Sequence, residues 1–143
     1  MRGLRADAAY LRSLLDSITD PIVLAGHSYG GSVMSEAAAG DRDVKALVYI
    51  ASFSLEKGES TAELAAKFPG GQLGTALHSV LVPLPGGGTG TDLYIQQDRF
   101  RAVFAADVAR PVADLMAVGQ RPITEAALNE PATWTPPRLD RGR

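Results

Sequence analysis

The sequence predicts an α/β protein, a partial core of parallel strands with flanking helices that carries a mainly helical cap. Three observations predict it. The apolar run Ile22-Val23-Leu24-Ala25 enters Gly26-His27-Ser28-Tyr29-Gly30, a strand running into Gly-x-Ser-x-Gly with a helical pattern behind it. Val44, Ala46, Leu47, Val48, Tyr49 and Ile50 form an almost continuous apolar strand, the pattern of a parallel sheet covered on both faces. After Ser52 the pattern changes to short amphipathic segments separated by glycine-rich turns.

Each element follows in order. Leu4, Ala8, Leu11, Leu15 and Ile18 are spaced by alternating fours and threes, one apolar stripe on a helix. Asp20-Pro21 ends that helix and starts the strand Ile22–Ala25, expected to be fully buried. A small-residue helix over Ser32–Gly40, opening near Tyr29, leads through Asp41-Arg42-Asp43 into the strand Val44–Ala51. Residues 1–51 thus read as α-β-α-β, the core portion.

Ser60-Thr61-Ala62-Glu63 is a capping box opening a helix with Leu64 and Phe68 on one face, stopped by Pro69-Gly70-Gly71. Val80, Val82 and Leu84, then Leu93 and Ile95, alternate around a glycine-rich loop, which predicts a hairpin with a flexible tip. Phe100, Val103 and Phe104 mark one further helix face. Val112, Leu115 and Met116 mark another, ended by Gly119, and both faces are expected to be core. Ile123–Leu128 reads as a last short helix, closed by Asn129 and Pro131. Residues 52–130 are therefore expected to be a cap over the carboxyl ends of the strands, enclosing an apolar pocket, and residues 131–143 a disordered tail.

Composition narrows the function. A chain of 143 residues, 45% hydrophobic and 21% charged, suits one globular domain. Fourteen Lys and Arg against sixteen Asp and Glu give a net charge of -2 with no basic patch, which argues against nucleic acid as a partner. There is no cysteine, so disulfides and thiolate metal sites are excluded, and two histidines far apart argue against zinc. The longest apolar run is too short to span a bilayer and no signal peptide is apparent, so no membrane association and a cytoplasmic location are expected. Abundant alanine and arginine with scarce lysine suggest a GC-rich bacterial genome.

The Gly-x-Ser-x-Gly segment carries the chemistry. In a nucleophile elbow the serine backbone is strained, with φ > 0, and its Oγ is pushed out above the end of the sheet. Ser28 is the candidate nucleophile, and the backbone N–H of Tyr29, at a helix N-terminus, is the candidate oxyanion donor. Gly26 and Gly30 are expected to remove Cβ atoms that would collide as strand and helix fold back, and Gly31 to let the helix pack close. The alternative is a glycine-rich βα turn with a bystander serine. A dinucleotide loop fits worse because the glycines do not form Gly-x-Gly-x-x-Gly, and no Gly-Lys-Ser/Thr follows for a phosphate loop.

A serine nucleophile needs a base. His27 adjoins Ser28, but neighbouring side chains at a sharp bend diverge, so it is expected to pack beneath the site. His78 lies just before the hairpin, with a surrogate-base or substrate-contact role and an ordinary cap position both open. Asp41 and Asp43 fall at the amino ends of the strands, away from Ser28. Glu56 and Glu59 lie at the correct edge and are expected to serve the cap loop. The Tyr29 ring either lines the pocket mouth or simply packs.

Val23-Leu24-Ala25-Gly26-His27-Ser28-Tyr29-Gly30-Gly31 and Val44-Lys45-Ala46-Leu47-Val48-Tyr49-Ile50-Ala51-Ser52-Phe53 resemble the α/β-hydrolase family. More narrowly they resemble its small cap-bearing esterase branch, with methylesterase-like and hydroxynitrile-lyase-like members. Val82-Pro83-Leu84-Pro85 and Arg99–Asp107 are similar to cap segments of bacterial members. The resemblance implies a serine-nucleophile hydrolase of small apolar esters that uses no cofactor and no metal. Ser28 is then the nucleophile and the Tyr29 N–H half of the oxyanion hole. It also implies parts this chain lacks: the strands before the elbow, and the acid and histidine beyond the cap. The expectation is a hydrolase truncated at both ends and inactive alone. The other reading is a non-catalytic degenerate hydrolase that binds a small apolar ligand or self-associates through exposed strand edges.

Overall fold

The computed structural model describes residues 3–68 and 70–136. Its first layer pairs β1 (Ile22–His27) in parallel with β2 (Val44–Ile50) through the crossover helix α2 (Tyr29–Ala37). The register runs from Ile22 opposite Val44 to His27 opposite Ile50, with one irregularity between Ile22 and Val23. Helix α1 (Leu4–Leu15) packs beside α2 through the stripe read from its sequence, and Ala8, Leu15, Ile22 and Ala37 form one buried cluster. Arg12 of α1 secures this pairing by donating to the carbonyls of Ala37 and Ala39 at 3.0 and 3.1 Å. That places a cation on carbonyls that α2 leaves unpaired at its C-terminus.

The strands are less buried than expected. Ile22, Leu24 and Gly26 face α1 and α2, but Val23 is 65% exposed and Ile50 52% exposed on the other face. A continuous apolar run records suitability for burial on both faces, and among the described residues α1 and α2 cover one face while Val23, Val48 and Ile50 stay exposed on the other. The crossover helix begins at Tyr29, earlier than the Ser32 boundary, because the glycines after Ser28 are part of its first turn.

The second layer combines four helices with an antiparallel hairpin. Helix α3 (Thr61–Lys67) opens on the expected capping box: Ser60 Oγ accepts from the Glu63 N–H while the Glu63 carboxylate accepts from the Ser60 N–H. The Pro69 part of the expected helix stop lies outside the described residues. After one 3-10 turn (Gly74–Ala76), the hairpin β3 (Leu77–Pro83) and β4 (Thr89–Ile95) pairs Leu77 with Ile95 and Pro83 with Thr89. A short strand β5 (Ile123–Thr124) adds to β4 where a helix start was expected. Helix α6 (Glu125–Asn129) opens only after Thr124, whose hydroxyl accepts from the Ala127 N–H as its cap.

Helices α4 (Gln97–Phe104) and α5 (Arg110–Gly119) pack through Phe100, Ala105, Ala113 and Ala117. This corrects the expected α5 core face. Ala113 and Ala117 are buried, whereas Val112 is exposed and Leu115 is 71% exposed. Two alanines one turn apart let the helices approach closely, and of the neighbouring stripe Val112 is left exposed while Leu115 and Met116 border the cavity between the layers.

Residues 131–136, grouped with the expected disordered tail, are held in place. Thr133 N–H and Oγ1 donate to the Glu36 carboxylate at 2.5 and 2.6 Å, and Trp134 N–H donates at 3.0 Å. Residues 137–143 lie outside the described residues. A third cluster, Leu4, Tyr29, Leu55, Ala127 and Ala132, joins the two layers. No helix among the described residues is long and apolar enough to cross a membrane.

Candidate active site

β1 ends in a sharp bend. Ser28 has φ 51° and ψ -128°, one of two non-glycine residues with positive φ among the described residues; the other is Ala51, φ 43°. Both follow directly after the last paired residues of their strands, side by side at one end of the parallel pair. Such backbone costs of order 1–3 kcal/mol and persists only where its surroundings hold it. The surroundings do hold it here. Ser28 N–H donates to Ile50 O at 3.1 Å, and Ser28 O accepts from Gly31 N–H at 3.0 Å. The Ser52 hydroxyl donates to the same Ser28 carbonyl.

The glycines divide into two kinds. A Cβ on Gly26 would lie 2.7 Å from Gly30 O, and one on Gly31 would lie 2.9 Å from the Tyr49 ring and collide with Ser52. These two positions need glycine for close approach. Gly30 does not: a Cβ there would meet nothing within 4 Å. The expected collision at Gly30 is absent because the residue borders the open cavity, not the strand.

Tyr29 begins α2, so its amide lies beyond the reach of any intrahelical carbonyl acceptor. Its side chain combines both roles left open by the sequence. The ring is buried and also borders the cavity, and its hydroxyl donates to Asp7 Oδ2 at 3.0 Å. Burial first, and then the Asp7 carboxylate, pushes the Tyr29 phenol well above its ordinary value.

Ser28 borders a cavity of about 980 Å³ between the two layers. Its walls are mostly apolar: Leu24 and Met34 from the first layer, Leu93, Ile95, Phe100 and Met116 from the second. The charged side chains at the cavity are Asp7 and Arg121, with the His27 imidazole beside them.

His27 does not pack beneath the site. It is exposed, borders the cavity, and meets Phe104 edge-on at 5.9 Å between ring centroids. In a strand successive side chains alternate, so His27 falls on the face away from the buried Gly26. His78 is not brought to Ser28. It pairs with Tyr94, while Leu77 and Ile95 on the opposite face of the hairpin border the cavity. Among the described residues neither imidazole hydrogen-bonds to Ser28.

Asp41 and Asp43 lie at the amino ends of the strands, where Asp43 O accepts from Ile22 N–H at 2.7 Å. Glu56 and Glu59 serve the loop before α3. Glu59 accepts from the Glu56 N–H and pairs with Lys67, each at 2.9 Å; the Glu56 amide first, then Lys67, lowers its carboxyl below the usual value. The described residues contain no group of three or more His, Asp or Glu able to hold a metal.

Asp7, Gln120 and Arg121 are among the cavity residues that escaped the sequence reading. Asp7 occupies a polar position of α1 and nothing local marks its bond to Tyr29. Gln120 and Arg121 follow α5 in a stretch without periodicity. The Gln120 amide bonds both the N–H and the C=O of Ile95, at 2.8 and 2.9 Å, like one more strand residue against β4.

A profile of the alpha/beta hydrolase family matches residues 2–142, and the chain belongs to that family. Its fold is similar to that of a polyneuridine aldehyde esterase, crystallised as a histidine-to-alanine mutant, with a TM-score of 0.70 at 15% identity over 93% of this chain. It is also similar to the pyrethroid hydrolase PytH, with a TM-score of 0.66 at 19% identity over 94% of the chain. The chain covers 56% of the esterase and 53% of the pyrethroid hydrolase, about half the length of the structures it resembles. No curated protein matches it in sequence.

Proposed function

We propose that this chain carries the nucleophile and substrate cavity of a serine hydrolase acting on small apolar esters. The observation that carries the reading is the strained Ser28 backbone bordering a largely apolar cavity. Ser28 Oγ attacks the ester carbonyl carbon, a base takes the hydroxyl proton, and the Tyr29 amide donates to the oxyanion that forms. The alcohol leaves with a proton returned by that base, and water then releases the acid by the same route. Residues 52–130 act as the cap that shields this chemistry.

The base and its orienting acid are proposed to lie outside these residues, because neither His27 nor His78 bonds Ser28. The chain alone then hydrolyses esters feebly. The structural neighbours, an esterase and a pyrethroid hydrolase, agree with ester chemistry.

The test is turnover of a short-chain nitrophenyl ester with and without free imidazole, corrected for the buffer reaction. Imidazole entering the cavity should stand in for the missing base and raise turnover in the natural chain but not in Ser28→Ala. Equal imidazole-dependent turnover in the two proteins removes Ser28 from its role.

A second reading is favoured by the exposed sheet face. Val23, Val48 and Ile50 stand 65%, 45% and 52% exposed on a two-stranded sheet with both edges unpaired among the described residues. We propose that this surface also drives self-association. Sedimentation of the chain beside Val23→Lys tests it: a concentration-dependent dimer lost in the variant supports association, and a monomer at all concentrations refutes it.

A further inference from the structure

We propose that Arg121 selects substrates bearing an anionic group, a carboxylate above all, at the end remote from the ester. This rests on the reading of Ser28 as nucleophile and refines the substrate of the same cavity from a wholly apolar ester to one with an apolar body and one anionic end. Among the charged side chains at the cavity, Asp7 is already engaged by the Tyr29 hydroxyl. Arg121 has neither a hydrogen bond nor an ion pair with any described residue. A guanidinium is charged at every relevant pH and presents a planar fork of donors that matches a carboxylate.

The main chain at Arg121 is fixed on both sides. Gln120 before it is clamped to Ile95 through both backbone groups and to Ala117 O at 2.8 Å. Pro122 after it leads directly into β5, where Ile123 pairs with Leu93. The cation therefore stands on a segment tied to the sheet on both sides, so little ordering of the main chain is needed on binding. Arg121 is itself exposed and lines the same cavity as the apolar Ile95 and Met116, so a carboxylate reaching it stays partly in water while the apolar body of the substrate is covered. A neutral ester fills the walls and leaves Arg121 to solvent. An ester with a distal carboxylate fills the same walls and pairs the cation, which also sets which end of the substrate faces Ser28.

The test uses two fluorescent probes of nearly the same shape, anilinonaphthalene sulfonate and its uncharged parent phenylnaphthylamine, titrated into the natural chain, Arg121→Gln, Arg121→Lys and Ser28→Ala. The anionic probe is expected to bind the natural chain about threefold more tightly than the neutral one, the range of an ion pair at an exposed arginine. That ratio should fall to about one in Arg121→Gln and remain above one in Arg121→Lys. A ratio unchanged in Arg121→Gln overturns the proposal, as does a natural chain without preference. Ser28→Ala should keep the full preference, because binding needs no nucleophile. Hydrolysis supplies the second readout: the mono-nitrophenyl ester of glutarate should be preferred to nitrophenyl valerate through KM, and Arg121→Gln should erase that preference. If turnover proves independent of Ser28 while the probe ratio still depends on Arg121, the nucleophile assignment fails and the anion site stands.

Discussion

The Tyr29 hydroxyl donates to the Asp7 carboxylate at 3.0 Å, tying the first residue of α2 to the first turns of α1. Ser28 and its bend are thus braced from the strand side by Ile50 and from the helix side through its neighbour's phenol.

This bond gives a pH dependence whose sign is fixed. The Tyr29 phenol is raised above its ordinary 10.0, by burial first and the Asp7 charge second. Above that pH the unfolded chain loses the phenolic proton while the folded chain keeps it, so this group's contribution to stability falls as pH rises past 10.0. Tyr29→Phe should be less stable at neutral pH by about 1.5 kcal/mol, the value of a hydrogen bond to a charged group. Urea midpoints across a pH series should show the gap closing above pH 10.0. A gap of constant size at every pH would contradict the assignment.

The two kinds of glycine separate by substitution. Gly26→Ala places a methyl 2.7 Å from Gly30 O and should cost about 1–3 kcal/mol by overpacking. Gly30→Ala meets open space on a helix and should shift stability by less than about 1 kcal/mol. Denaturant titration of both decides it, and equal losses at the two positions would refute the distinction.

Gln120 should behave as part of the sheet. Gln120→Ala strips the side-chain partners from Ile95 N–H and C=O and should cost about 1–3 kcal/mol. Amide exchange supplies the local readout, with the Ile95 amide expected to lose protection first. Unchanged protection there would mean that water replaces the clamp without loss.

Glu36 holds residues 133 and 134 through three hydrogen bonds. Glu36→Ala should expose that segment to limited proteolysis while leaving most of the helical signal intact. A proteolysis rate identical to that of the natural chain would show that Ala132 in the core suffices to hold it.

Local features were legible in the sequence and non-local ones were not. The strand–bend–helix around Ser28 and the Ser60–Glu63 capping box depend on residues a few positions apart, and both appear where expected. The α5 stripe shows the limit of periodicity. Val112, Leu115 and Met116 repeat at helical spacing as well as Ala113 and Ala117 do, and only the presence of α4 at close range selects the alanines. Gly30 fits the elbow pattern, yet the cavity beside it, not the pattern, decides what a Cβ would meet there. Asp7 with Tyr29, and Glu36 with Thr133, join positions 22 and 97 residues apart, which no local rule connects.

The cluster of Leu4, Tyr29, Leu55, Ala127 and Ala132 gathers side chains from both ends of the described chain. Such a core has high contact order: its long loops must close before its contacts can contribute. On the ribosome the hairpin β3–β4 can pair as soon as it emerges, whereas the layer-joining core must wait until Ala132 is clear of the exit tunnel. The cavity, built where the two layers meet, is therefore among the last parts of the molecule to take shape. Until then its apolar walls are open to chaperones and to other nascent chains.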